Sequence, residues 1–128
     1  MNAFLGSALA VAVGAVLGAW LRWGLGTWLN LRSHSLPLGT LAVNLIGGFL
    51  VGVAVASFAD RTEIPHEWRL FVITGFLGGL TTFSTFSAES VALLLRGDYG
   101  WALAHSAAHL GGSLALTAVG IATWRAFN

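Results

Sequence analysis

Between residues 75 and 87 the chain reads Gly-Phe-Leu-Gly-Gly-Leu-Thr-Thr-Phe-Ser-Thr-Phe-Ser, an unusual density of hydroxyls in apolar surroundings. Gly78 and Gly79 weaken a helix at this point. Thr81, Thr82, Ser84, Thr85 and Ser87 can satisfy the backbone groups that a break would free. A helix broken inside a membrane is a common ion site, because carbonyls at the break hold cations and amide ends face anions. A polar packing face is the plainer account of the same residues. Asn44, in the apolar run Thr-Leu-Ala-Val-Asn-Leu-Ile-Gly-Gly, poses a similar choice. A primary amide in such surroundings must find partners or line a wet cavity. It is either an interhelical hydrogen bond or a donor in a permeation path.

Phe83 and Phe86 are three residues apart and share a helix face. Core or lipid-facing aromatics are the usual explanation for such a pair. Beside hydroxyls, their weakly positive ring edges offer an anion contact without a full charge, and conduction needs binding weak enough to release. His105, His109 and Ser113 follow at four-residue steps and form one polar stripe. Two histidines at that spacing can ligate a metal, but the sequence shows no third ligand beside them. They can also carry protons. Polar lining of a narrow path is the reading favoured here. Arg22 and Glu89 fall near the ends of apolar runs, where snorkelling or a salt bridge is ordinary. Arg22 either orders neighbouring loops or lines a vestibule that attracts anions.

The elements that must hold these residues are membrane helices. Of the 128 residues, 56% are hydrophobic and 9% charged, whereas a soluble domain carries about 25% charge. Four apolar runs reach the ~20 residues that a spanning helix requires: about 4–29, 38–58, 68–95 and 101–127. They are continuous and lack the strict alternation of barrel strands. The chain is expected to be one domain over 1–128. Its N-terminal stretch reads as a true first span, since it lacks the basic n-region and cleavage site of a secretory signal. Asn30 to Pro37 is an expected turn, with Pro37 suited to a helix start. Gly97-Asp98 is another turn signal. The six tryptophans fall near span ends, as an aromatic belt would. Cysteine is absent, which excludes disulfides and thiolate metal sites. With no lysine there is no polybasic patch, and the net charge of +1 does not point to nucleic acid.

Four spans divide the arginines evenly. Arg61, Arg69 and Arg125 fall on one side; Arg22, Arg32 and Arg96 fall on the other. Orientation follows Lys/Arg asymmetry, and none exists here. A marginal bias orients the chain, or it inserts both ways and pairs antiparallel. The second is the sharper expectation. Gly14 and Gly18, Gly48 and Gly52, and Gly75 and Gly79 have the spacing of close helix packing.

The motifs together carry a resemblance. Gly-Gly-Leu-Thr-Thr-Phe-Ser-Thr-Phe-Ser (78–87) resembles the signature of the Fluc fluoride-channel family, also called CrcB proteins. Gly-Thr-Leu-Ala-Val-Asn-Leu-Ile-Gly-Gly (39–48) resembles the family's second-helix motif, and Gly18-Ala-Trp-Leu-Arg22-Trp its first. The resemblance covers essentially the whole chain. It implies an all-α integral membrane protein, not an enzyme. Four transmembrane helices, the third broken mid-membrane, would assemble as an antiparallel dual-topology homodimer with two pores at the subunit interface. It implies passive fluoride export across the bacterial inner membrane, which reduces cytoplasmic toxicity. Asn44 would donate to fluoride, and Phe83 and Phe86 would line the pore with ring edges. Thr40, Ser84 and Thr85 would contribute to the pore region. Backbone carbonyls of Gly78 and Thr81 would hold one central structural Na⁺ shared by both subunits. The chemistry of His105 and His109 is left unassigned. A small proton-coupled multidrug transporter is the competing class, but it needs a buried carboxylate and the first span has none. A non-conducting adaptor subunit would not need the polar content of residues 81–87.

Overall fold

The computed structural model describes every residue except Met1, Ser33, His34 and Ser35. The middle of the turn expected between Asn30 and Pro37 therefore lies outside the described residues. Helix α1 spans Ala3–Asn30 and starts where the Asn2 side chain accepts from the Leu5 N–H at 2.8 Å. Helix α2 spans Leu38–Asp60, with Pro37 at its N-cap. Pro65 precedes the short α3 (His66–Arg69), which runs into a π-helical stretch, Leu70–Leu77, and then α4 (Gly78–Leu80). Helix α5 covers Phe83–Leu95 and α6 covers Tyr99–Phe127. Gly97 turns the chain between them with φ of 80°, a conformation that favours glycine.

Among the described residues, four helical stretches are long and apolar enough to cross a membrane: Ala3–Asn30, Leu38–Asp60, His66–Leu95 and Tyr99–Phe127. They extend one or two residues beyond most of the ends read from sequence. The third contains two extended residues, Thr81 (φ −92°, ψ 155°) and Thr82 (φ −150°, ψ 117°). Gly78 and Gly79 are the expected weak point, yet both are helical. Gly79 is held there by packing: a Cβ on it would lie 2.6 Å from the Ala15 carbonyl oxygen.

Two seams organise the bundle. Helix α1 packs along the π-helical stretch and α4, and α2 packs along α6. In the first seam a Cβ on Gly75 would come within 2.8 Å of Val11 O and 3.0 Å of Gly14 Cα. In the second, a Cβ on Gly52 would run into the Thr117 carbonyl. Side chains this small let backbones touch where lipid supplies no hydrophobic drive to association. Between the seams sit the buried Val43, Ala54, Leu77 and Leu80. Helix α5 leans on α6, and this contact brings the polar residues together.

Candidate functional site

Asn44 sits one helix away from the two extended residues and fits them as a neighbouring strand would. Its Oδ1 accepts from the Thr82 N–H at 2.8 Å, and its Nδ2 donates to the Thr82 carbonyl at 3.0 Å. This reciprocal pair fixes which way the amide points. Hydroxyls are the expected partners of the freed backbone groups. Hydroxyls do part of the work: Thr81 Oγ1 donates to Leu77 O at 2.8 Å, and Thr82 Oγ1 accepts from the Thr85 N–H at 3.2 Å, capping α5. Both backbone groups of Thr82, however, go to Asn44. The second amide hydrogen of Asn44 points at His109 Nδ1, 3.1 Å away. An amide nitrogen only donates, so that ring nitrogen accepts.

The two phenylalanines differ in depth. Phe83 is 71% exposed on this chain, whereas Phe86 is 6% exposed. Their rings meet edge-on with centroids 5.3 Å apart. Phe86 also stacks on His109 at 4.6 Å, leaving its edge rather than its covered face for other contacts. His105 and His109 are both buried.

Glu89 completes the cluster. It lies three residues after Phe86 and so on the same face of α5, a spacing that the sequence displays. Its Oε1 accepts from Thr40 Oγ1 at 2.6 Å, and its Oε2 is 3.2 Å from His105 Nε2. That last approach is close but poorly aligned. Glu89 Oε2, His105 Nε2 and His109 Nε2 are all buried without a hydrogen bond. No third ligand for the histidine pair is visible beside it in the sequence; the fold brings Glu89 to it. Arg22 takes another route: its Nε donates to the Gly79 carbonyl at 2.9 Å, tying α1 to α4.

Several of these residues border two clefts. One, of about 340 Å³, is lined by Asn44, Thr82, Phe83, Phe86, His109 and Ser113, among others. The other, of about 200 Å³, includes Arg22, Thr40, Thr82 and Thr85 in its lining. Thr82 borders both. Ser84 is exposed beside them, its hydroxyl 3.2 Å from Thr82 Oγ1. Of the residues singled out for a cation, Thr81 borders the larger cleft and Gly78 is exposed. The ordinary helical donors of their carbonyls are diverted, because Thr82 N–H goes to Asn44 and Thr85 N–H goes to Thr82 Oγ1. Beyond these residues, the π-helical stretch carried no sequence signal. It is apolar throughout apart from Thr74 and Gly75, and nothing in its residue types distinguishes a wider helix.

Comparison with known proteins gives the arrangement a lineage. Residues 9–121 match the family model described as CrcB-like protein, Camphor Resistance (CrcB). A protein of Cupriavidus necator named fluoride-specific ion channel FluC is 62% identical over 117 residues, covering 91% of this chain and 93% of the relative. One of Ralstonia pickettii with the same name is 61% identical over 120 residues, covering 94% of this chain and 95% of the relative. With a model matched over most of its length and relatives this similar, the chain belongs to the CrcB family.

Proposed function

We propose that this protein is a fluoride-selective channel that lets fluoride leave the bacterial cytoplasm passively across the inner membrane. The observation that carries the reading is a cleft in which an amide, hydroxyls and aromatic edges converge, in a family whose similar members are named fluoride channels. Fluoride is small and strongly hydrated, so a path must replace its water with several donors. Neutral donors and ring edges do this without the deep well that a fixed cation would create. Outside, in acid, fluoride enters cells as neutral HF and is stranded within as the anion. The membrane potential then drives it out through any selective pore.

In this reading Asn44 gives fluoride the amide hydrogen that otherwise faces His109, and keeps its two bonds to Thr82. Phe83 and Phe86 supply ring edges. Ser113 and the hydroxyls of Thr40, Ser84 and Thr85 line the approaches. His105 and His109 form part of the wall, and Arg22 fixes the mouth of the smaller cleft.

The working unit is an antiparallel, dual-topology homodimer. The equal arginine division supports it, as does Phe83, whose exposed ring a second chain would cover. The backbone carbonyls of Gly78 and Thr81 would hold one structural Na⁺ shared by the two chains. The diverted helical donors of those carbonyls and the exposure of Gly78 support a fit. When bound, the ion supplies a positive charge that neutralises converging carbonyls.

Liposomes holding the purified protein test the reading. Fluoride efflux without chloride or proton flux is the expected result. Proton-coupled cation transport, or no flux at all, overturns it. A C-terminal topology reporter should register both sides of the membrane, and a single orientation in the unmodified chain would remove the dual-topology dimer.

A further inference from the structure

Glu89, His105 and His109 come from α5 and α6, and one ligand atom from each lies within 4.8 Å of the other two. Three polar atoms of this group are buried and make no hydrogen bond, Glu89 Oε2, His105 Nε2 and His109 Nε2, although the first two stand at ion-pair distance, 3.2 Å. Buried polar atoms are nearly always hydrogen-bonded, so three orphans that converge require an explanation. The two histidine residues are 4% and 3% exposed, so water does not solvate them freely.

We propose that these three side chains form a binding site for one transition-metal dication of the zinc type, and that its occupation arrests anion movement. The donor set is two imidazoles and one carboxylate, which suits zinc, cobalt or nickel and not a hard cation such as magnesium. Tetrahedral zinc, with bonds of about 2.0–2.1 Å, spaces its ligand atoms ~3.3 Å apart. His105 Nε2 and Glu89 Oε2 already stand at 3.2 Å. His109 closes the remaining gap by a side-chain rotation. The two histidines are one turn apart on a single helix, the spacing that brings both rings to one ion. Thr40, donating to Glu89 Oε1, holds the carboxylate so that Oε2 is the free oxygen. Three protein ligands leave an open position for water or a small anion.

The metal also reaches Asn44. With Nδ1 accepting from Asn44, the neutral His109 ring carries its proton on Nε2. Coordination through Nε2 displaces that proton, and Nδ1 takes one up. Two donors then face each other, and the Asn44–His109 hydrogen bond breaks. A dication so placed disturbs the amide beside the larger cleft and presents a strong anion trap next to it. The arrest rests on the channel reading above; the binding does not.

The test is titration of the purified full-length protein in detergent with Co²⁺, read by the visible absorption of the ion. The expected result is the intense bands of low-coordinate cobalt at one ion per chain, abolished by excess Zn²⁺. Glu89→Gln, His105→Gln and His109→Gln should each weaken binding by more than the ~10–100-fold that loss of an outer-shell partner costs. The double variant His34→Gln/His66→Gln should keep the bands. Size-exclusion elution reports whether each variant is folded. X-ray absorption at the zinc edge of the unaltered protein, expected to show two imidazoles, needs no variant. Absent bands, or bands that follow His34 and His66, overturn the site. Micromolar Zn²⁺ should stop fluoride efflux from liposomes; binding without that effect overturns the arrest. Cobalt bands in a protein that passes no fluoride even without metal would leave the site standing and sink the channel reading instead.

Discussion

The seam between α1 and the third span and the cluster between α2, α5 and α6 are both buried, but different forces hold them. In the seam, glycines stand where any Cβ would strike a neighbouring backbone, as at Gly18 against the carbonyl of Phe76. Its contacts are of shape, with few polar groups. In the cluster, Asn44 bonds Thr82 and His109 and Thr40 bonds Glu89 through directed contacts, while Glu89 Oε2, His105 Nε2 and His109 Nε2 make no hydrogen bond. A lipid-embedded chain can make its seam as tight as sterics permit, because apolar packing leaves nothing unsatisfied. A cluster that handles ions must keep some polar capacity unspent. Changes in the seam should therefore abolish the fold, and changes in the cluster should abolish transport first.

The largest effect is expected from Gly18→Val. Its Cβ would also lie 2.8 Å from the Leu80 N, backbone that cannot give way. Overpacking of this kind costs about 1–3 kcal/mol or more, and here it parts two whole helices. No folded protein should elute on size exclusion. Gly24 has nothing within 4 Å of an added Cβ, so Gly24→Ala should fold normally. A normal elution profile for Gly18→Val would break the comparison at its steric end.

Asn44→Asp comes next, and it addresses the cluster. The carboxylate still accepts from Thr82 N–H but no longer donates to Thr82 O, and it repels an anion. Fluoride efflux should vanish. A lost buried partner costs about 1–3 kcal/mol, so the thermal melt should fall without collapse of the fold. Asn44→Ser should retain some flux. Full efflux from Asn44→Asp would return this residue to a purely structural role.

Phe83→Ile and Phe86→Ile sharpen the contrast within the cluster. Both should cut efflux severely, since isoleucine has no positive edge. Phe86→Ile should also lower the melt, because Phe86 is buried against His109 within its own chain. Near-normal efflux in both would mean that the rings act by bulk alone.

How legible each region was follows from the same difference. The spans were readable because the demand of lipid for internally bonded backbone leaves long apolar runs in the sequence. The glycine seam was readable because small residues four apart are a one-dimensional signal. Asn44 stood out as an amide in an apolar run, but its pairing with both backbone groups of Thr82 was not visible. That pairing joins positions 38 residues apart and depends on how α2 is rotated. The extended residues at Thr81 and Thr82 were displaced from the glycines for a similar reason. Gly78 and Gly79 are weak helix formers alone, but close packing on α1 holds Gly79 helical. Sequence position alone, without the lean of α5 on α6, puts Glu89 late in its run, where a charge reads as a span end.

The smallest effect belongs to Thr82, which borders both clefts and joins backbone to cluster. Its Oγ1 accepts from the Thr85 N–H at 3.2 Å and so serves as the N-cap of α5. The same oxygen lies 3.2 Å from the hydroxyls of Ser84 and Thr85. Thr82→Val removes this oxygen and little else. The backbone bonds to Asn44 persist, since they involve only the N–H and carbonyl of residue 82. A β-branched side chain suits the extended conformation there, with φ −150° and ψ 117°. The loss is then that of one cap, about 1 kcal/mol, together with rotational freedom gained by the Ser84 and Thr85 hydroxyls. Thermal melts in detergent should show a modest decrease for Thr82→Val and recovery in Thr82→Ser, which restores the acceptor. Fluoride efflux should fall only partly in the valine variant, because Asn44 and the two phenylalanines are untouched. If valine matched the unaltered protein in both assays, the cap would be incidental and α5 would be held by its packing on α6. If it abolished efflux as completely as Asn44→Asp, the hydroxyl itself would belong to the anion path.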